Sequence, residues 1–170
     1  MSELDQARVK ELLDYDEVSG LFRWRKLTSN RAKIGAVAGG ITKGGYLRIS
    51  LDNHSFAAHR LAWFYTHGVM PPAQIDHING VRTDNRIANL RLASHSENMH
   101  NSRPRNPASG LKGAYLYKKR LAAGHQRPWT SSIFKDRMRI HLGYFATAEE
   151  AHAAYGKAAA ELHGQFARTV

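Results

Sequence analysis

Asp76-His77, Asn89 and Asn98 are the residues of this chain whose types and spacing allow chemistry. They set one carboxylate, one imidazole and two carboxamides inside a single short stretch. Oxygen donors suit a hard divalent cation such as magnesium. An imidazole beside the carboxylate is the usual group for taking a proton from water near neutral pH. Together they are the equipment of a metal-dependent phosphodiesterase.

The elements that must position these groups are readable around them. An apolar approach, Ala73-Gln74-Ile75, leads into Asp76-His77, and a loop containing Gly80 follows. Asn89-Leu90-Arg91-Leu92-Ala93 then reads as a short strand. Ser94-His95-Ser96-Glu97 predicts a helix start, with Ser at the N-cap and Glu three residues on. Upstream, residues 3–14 have helical apolar spacing with Ser2 as the expected cap. Leu21–Arg25 and Tyr46–Leu51 alternate like strands, and residues 58–67 predict a helix ending at Gly68, with Pro71-Pro72 beyond it. Trp24, Trp63, Phe64 and Tyr65 are read as core. His59 is open to two readings, a satisfied structural histidine or a member of the site, with the first favoured.

Ile75-Asp76-His77-Ile78-Asn79-Gly80, then Asp84-Asn85-Arg86-Ile87-Ala88-Asn89-Leu90-Arg91, then Ser96-Glu97-Asn98 resembles the HNH endonuclease family, in its phage and intron-encoded branch. Residue types, order and spacing coincide: twelve positions from His77 to Asn89 and nine from Asn89 to Asn98. The resemblance implies a ββα-metal finger at about 73–102. In it Asp76 and Asn98 ligate one divalent metal (Mg²⁺ first, Mn²⁺ as the alternative). His77 is the general base, and Asn89 braces the loop that aims it. Zinc-preferring relatives carry a further His where this chain has Ser102, which argues against a His-rich zinc site.

With 170 residues the chain has room for one domain or two small ones. It has no cysteine, so disulfides and thiolate zinc sites are excluded. The acidic, polar N-terminus predicts no secretory leader, and no apolar run approaches the ~20 residues that span a bilayer. Joined to the resemblance, which implies a phage or mobile-element origin, this gives the expectation of a cytoplasmic protein of a bacterial host. Net charge is +11, unevenly placed: residues 1–19 hold six acids and two bases, while residues 103–141 hold ten Lys/Arg and one acid, Asp136. Basic side chains interleaved with Tyr115, Tyr117 and Trp129 favour duplex DNA over a membrane surface as partner.

Residues 103–110 have the Pro/Gly/Ser/Asn composition of a linker. It divides a nuclease region, 1–102, from a C-terminal domain, 111–170. Three strand-like segments follow (113–118, 129–135, 137–142), then a helix with a second capping box, Thr147 to Glu150, and Gly164 as its stop. The class expected is α+β: the nuclease finger with flanking strands and helices, then a three-stranded antiparallel sheet packed on one helix. Lys112-Gly113, Trp129 with Ile133, Leu142-Gly143-Tyr144-Phe145, Thr147-Ala148-Glu149-Glu150-Ala151, Ala154-Tyr155, Ala158-Ala159 and His163-Gly164 resemble the APETALA/ethylene-response-factor DNA-binding domain. That resemblance implies that the open sheet face enters the major groove, through Tyr115, Tyr117, Trp129, Ser131, Lys135, Arg137, Arg139 and His141. Trp129 is equally well read as a core aromatic. Lys135, Arg137 and Arg139, all odd-numbered, are expected on one side of a hairpin, with Phe134 and Ile140 turned inward.

The combined expectation is a monomeric, divalent-metal-dependent endonuclease that prefers certain sites in duplex DNA, homing-endonuclease-like. One metal finger per chain favours a nick. The alternative is a catalytically inactive DNA-binding regulator. An RNA-binding role is weakest, for want of paired aromatic stacking motifs.

Overall fold

Asp5 caps the first helix in the computed structural model, which describes residues 4–26, 33–101, 109–135 and 138–167. Its carboxylate accepts from the Ala7 amide at 3.1 Å, and helix α1 spans Gln6–Leu12. Ser2, the expected cap, lies outside the described residues. The helix is also shorter than its apolar spacing suggests. Leu13 leaves it to begin strand β1 (Leu13–Asp16), in which Leu13 and Tyr15 point inward and Asp14 and Asp16 outward. The same leucines satisfy both periods, and pairing with β2 (Leu21–Trp24) decides for the strand.

The β1–β2 turn closes on Asp16, which accepts from the Val18 amide and the Ser19 hydroxyl, and on Gly20 at φ 71°. Strands β3 (Gly40–Ile41), β4 (Leu47–Leu51) and β5 (His54–Ala57) form an antiparallel meander. Its second turn holds Asp52 and Asn53 at positive φ, as tight hairpin turns require. Helix α2 covers Ala58–His67, the predicted range, and stops at left-handed Gly68, whose amide reaches back to the Phe64 carbonyl. Strand β6 (Gln74–His77) then pairs antiparallel with β7 (Leu90–Ala93), so that Asp76 faces Arg91 and His77 faces Leu90. Arg60 of α2 donates to the carbonyls of Pro71 and Ala73 and so fixes the approach to β6. The core beneath is Val9, Leu12, Leu13, Phe22, Ile49, Leu51, Leu61, Ala62, Ile75 and Leu90. Trp24, Trp63 and Tyr65 pack at its margin.

The chain divides into two compact units, 1–95 and 96–170. Helix α3 (His95–His100) begins at that division, ahead of the expected linker. Of that linker only Ser109 and Gly110 are among the described residues, and Ser102 is not.

In the second unit β8 (Ala114–Leu116) ends sooner than expected, and Lys118 opens a short unforeseen helix, α4 (Lys118–Ala122). Strands β9 (Trp129–Lys135) and β10 (Met138–Phe145) complete a sheet of order β10-β9-β8. Helix α5 (Ala148–His163) lies across one face. Thr147 caps it by accepting from the Glu150 amide, and the Glu150 carboxylate reaches back to the Ala146 amide. Ala151, Tyr155 and Ala159 are the buried stripe of α5, packed on Ala114 and Ile133. Gly113, at φ 78°, has no room for a side chain, because an added Cβ would fall 2.1 Å from Tyr155.

The molecule is thus mixed α and β, with five α-helices and four small antiparallel sheets among the described residues. No helix among them is long and apolar enough to cross a membrane.

Candidate functional site

Asp76 and His77 end β6 side by side, and both are buried, at 4% and 5% exposure. Cross-strand register puts Arg91 opposite Asp76. Its Nε and Nη2 both donate to Asp76 Oδ2, at 2.8 and 2.7 Å. Sequence reading passed over this arginine, although a base two residues after Asn89 on the pairing strand was the available signal. A carboxylate this deep is tolerable only when paired.

The loop from Ile78 to Asn89 is closed by Asn89. Its side-chain oxygen accepts from the Asn79 amide at 3.0 Å, and its Nδ2 donates to the Asp84 carbonyl at 2.8 Å. The backbone of Asn89 accepts in turn from the Ile78 amide. The carboxamide therefore spans the loop that follows His77, the place in which the resemblance implied a brace. Asp84, held down to about 2 by its hydrogen bond with Arg86, locks the same loop through Asn79.

Three further residues surround His77. Its Nε2 lies 3.4 Å from Asn85 Oδ1, in a buried pair. The His59 ring stands edge-on to the His77 ring, with centroids 5.1 Å apart, and the Tyr46 ring lies 6.2 Å away. His59 Nδ1 is buried without a hydrogen-bond partner. Of the two readings of His59, the structure favours membership of this cluster. Burial pushes His59 down to about 4, with the charges of His77, Arg60 and Arg48 acting in the same direction. Burial also lowers His77, against the opposing pull of the Asn85 hydrogen bond and the Asp76 charge. Both imidazoles are therefore neutral at pH 7, the state a proton acceptor needs. His95 stands apart from this group, beside Gln74 at the start of β6.

Asp76 supplies hard oxygen, which fits magnesium better than zinc. Among the described residues no group of three or more His, Asp or Glu side chains could hold a metal unaided. A cation here would draw further ligands from water and substrate. Asn98, the second expected ligand, lies on α3 in the second unit.

The sheet of the second unit sorts the remaining expected residues by face. Register pairs Ile140 with Ile133, Met138 with Lys135 and Arg139 with Phe134. Buried Ile133 marks the side covered by α5, and Phe134, 56% exposed, marks the open side. Phe134 was expected to point inward and does not. Lys135 shares the side of Ile133, where its charge acts on His163 of α5. It does not lie beside Arg139 as the odd-number rule required. That rule counts along one strand, whereas the reversal at the hairpin exchanges odd for even. Arg137 and Asp136 lie outside the described residues.

Ser131 is fully buried and Trp129 packs on Ala114, Ala148 and Ala151, so neither is on the open face. Tyr115 pairs with Thr130, and His141 with Ser132, which puts both on the open face with Arg139. A bulge between His141 and Gly143 then returns Tyr144 to that face. Tyr144 stacks on Tyr117 at 6.3 Å and lies 4.0 Å beneath the Arg120 guanidinium. Tyr144 and Arg120 were not foreseen, because the bulge and α4 that bring them there leave no periodic signal.

Residues 56–100 match a family model described as HNH endonuclease. Over 119 residues, 65% of this chain, the sequence is 33% identical to Protein 3.8 of Escherichia phage T7, of which it covers 87%. No solved structure matches the chain.

Proposed function

The chain belongs to the family of phage T7 Protein 3.8 and carries an HNH endonuclease domain, and on that premise we propose that it hydrolyses phosphodiester bonds in duplex DNA. The observation that carries this reading is the buried imidazole of His77 beside the Asp76 carboxylate, on a loop spanned by Asn89. His77 takes the proton from the attacking water. As the family resemblance implies, Asp76 and Asn98 would hold one divalent cation, Mg²⁺ or Mn²⁺, which would supply positive charge for phosphodiester hydrolysis. Arg91 holds Asp76 in place and offsets its charge until the substrate arrives. One such centre per chain favours a nick by a monomer, at preferred sites, in the manner of homing enzymes. The phage relative fits a protein acting in the cytoplasm of a bacterial host.

The second unit is a DNA-binding module of the APETALA/ethylene-response-factor type in this reading. Its support is the order β10-β9-β8 with one helix across a single face, and an open face bearing Tyr115, Tyr117, Arg139 and His141. Lys118, Lys119 and Arg120 of α4 add positive charge for the phosphate backbone. Trp129, Ser131 and Lys135 are left out of this surface.

Supercoiled plasmid incubated with the protein and Mg²⁺ or Mn²⁺ tests the reading. Relaxation to the nicked circle that EDTA stops is the expected result. His77→Ala is expected to lose roughly 10²–10⁴ in rate while DNA affinity stays within a few-fold. DNA binding without cleavage in the wild type, whatever the ion, would make the protein the inactive regulator instead.

A further inference from the structure

Asn85 is a buried polar residue whose side-chain oxygen lies 3.4 Å from the proposed base, and the nuclease motif gives it no role. It is 1% exposed, and its side-chain nitrogen, side-chain oxygen and backbone carbonyl each have a defined partner. Nδ2 donates to the Thr83 carbonyl at 3.1 Å. Its own backbone carbonyl accepts from the Tyr15 hydroxyl at 2.7 Å. Gly20 lies against the same peptide: a Cβ there would come within 2.7 Å of the Asn85 carbonyl carbon and 2.4 Å of the Arg86 amide. The β1–β2 hairpin therefore holds Asn85 from behind.

The contact with Thr83 settles which end of the carboxamide faces His77. A carbonyl only accepts, so the nitrogen must point to Thr83 and the oxygen to His77 Nε2, 3.4 Å away. An acceptor facing a ring nitrogen selects the tautomer in which that nitrogen carries the proton. The basic lone pair is then on Nδ1. We propose that Asn85 is a positioning residue that holds His77 as the Nε2–H tautomer and so directs its Nδ1 lone pair at the water to be deprotonated. The inference rests on His77 being the base, but the tautomer itself is a property of the resting protein.

The test is long-range ¹H–¹⁵N correlation on full-length protein with ¹⁵N-labelled histidine at pH 8, with His77 assigned by loss of its signals in His77→Gln. The wild type is expected to show Nε2 protonated and Nδ1 bare. Asn85→Leu, which keeps the volume and removes the acceptor, is expected to give a mixture of tautomers. Asn85→Asp, which keeps an oxygen in place, is expected to restore the Nε2–H form. In plasmid cleavage Asn85→Leu is expected to lower kcat roughly ten- to a hundredfold with KM within about threefold, the range seen when an orienting partner of a functional imidazole is removed, and Asn85→Asp to recover most of it. An Nδ1–H tautomer in the wild type overturns the proposal without recourse to any variant. So does an unchanged Nε2–H tautomer in folded Asn85→Leu. A wild type with the expected tautomer that cleaves no DNA would leave the Asn85 assignment standing and remove the nuclease reading instead.

Discussion

Acid should destabilise the first unit through His59, and the size of the effect follows from its burial. The imidazole is held at about 4 against an ordinary value of 6.5. The folded state therefore resists a proton that the unfolded chain accepts. Between these two values the unfolded state binds more protons, so stability falls as pH falls through 6.5 toward 4. The full span corresponds to on the order of 3 kcal/mol, and the portion lost between pH 7 and pH 5 is about 2 kcal/mol. Carboxylates titrate over the same range, so the comparison must be with His59→Gln, which lacks the ionisation. Urea unfolding at pH 7 and pH 5 reads it, with hydrogen exchange at amides of α2 and β4 to restrict the signal to the first unit. The wild type should lose about 2 kcal/mol more than the variant over that interval. Equal losses in the two would refute the reasoning, and would mean that His59 takes up its proton with the ring already in contact with water.

Gly20→Ala should cost about 2–4 kcal/mol in urea unfolding, since a left-handed alanine costs 1–2 and the overlap with the Asn85–Arg86 peptide adds to it. A loss under about 1 kcal/mol would show that the close approach of hairpin and loop is not maintained. Arg91→Ala should destabilise by about 3–5 kcal/mol, because it removes the ion pair of a buried carboxylate, Asp76. Added Mg²⁺ should return more stability to that variant than to the wild type, and an equal response would separate the cation from Asp76. Arg139→Ala should alter which duplexes are selected from a randomised pool, with about 1–3 kcal/mol of discrimination at stake, whereas Lys135→Ala should leave the selected sequence unchanged. The reverse pattern would exchange the two faces of the sheet.

What a residue's near neighbours decide could be read directly. Helix α2 came out at its observed ends, because its apolar spacing and the left-handed Gly68 stop are local. The same holds for α5, where Thr147 accepts from the Glu150 amide and Glu150 from the Ala146 amide, all within five residues. Asp76, His77 and Asn89 were legible for a similar reason: one loop and its two strands carry them, so linear spacing stands in for geometry. Where two local patterns competed, sequence failed. Leu12 and Leu13 suit a helix or a strand, and only pairing with Phe22 and Trp24 places the break between them.

Tertiary structure decided whatever depends on a partner distant in the chain. Arg91 matters because antiparallel register sets it opposite Asp76, and His59 because α2 brings its second residue to β6. Asn85 matters because a hairpin far upstream supports its backbone through Tyr15 and Gly20. The open face of the C-terminal sheet could not be counted along a strand, since the antiparallel register pairs odd with even residues of β9 and β10 and the bulge at Leu142 shifts the alternation again. Periodicity is a property of one segment. Burial and pairing belong to segments brought together, and for that reason the sequence by itself singled out the candidate residues and the nuclease domain while the fold determined which groups surround them.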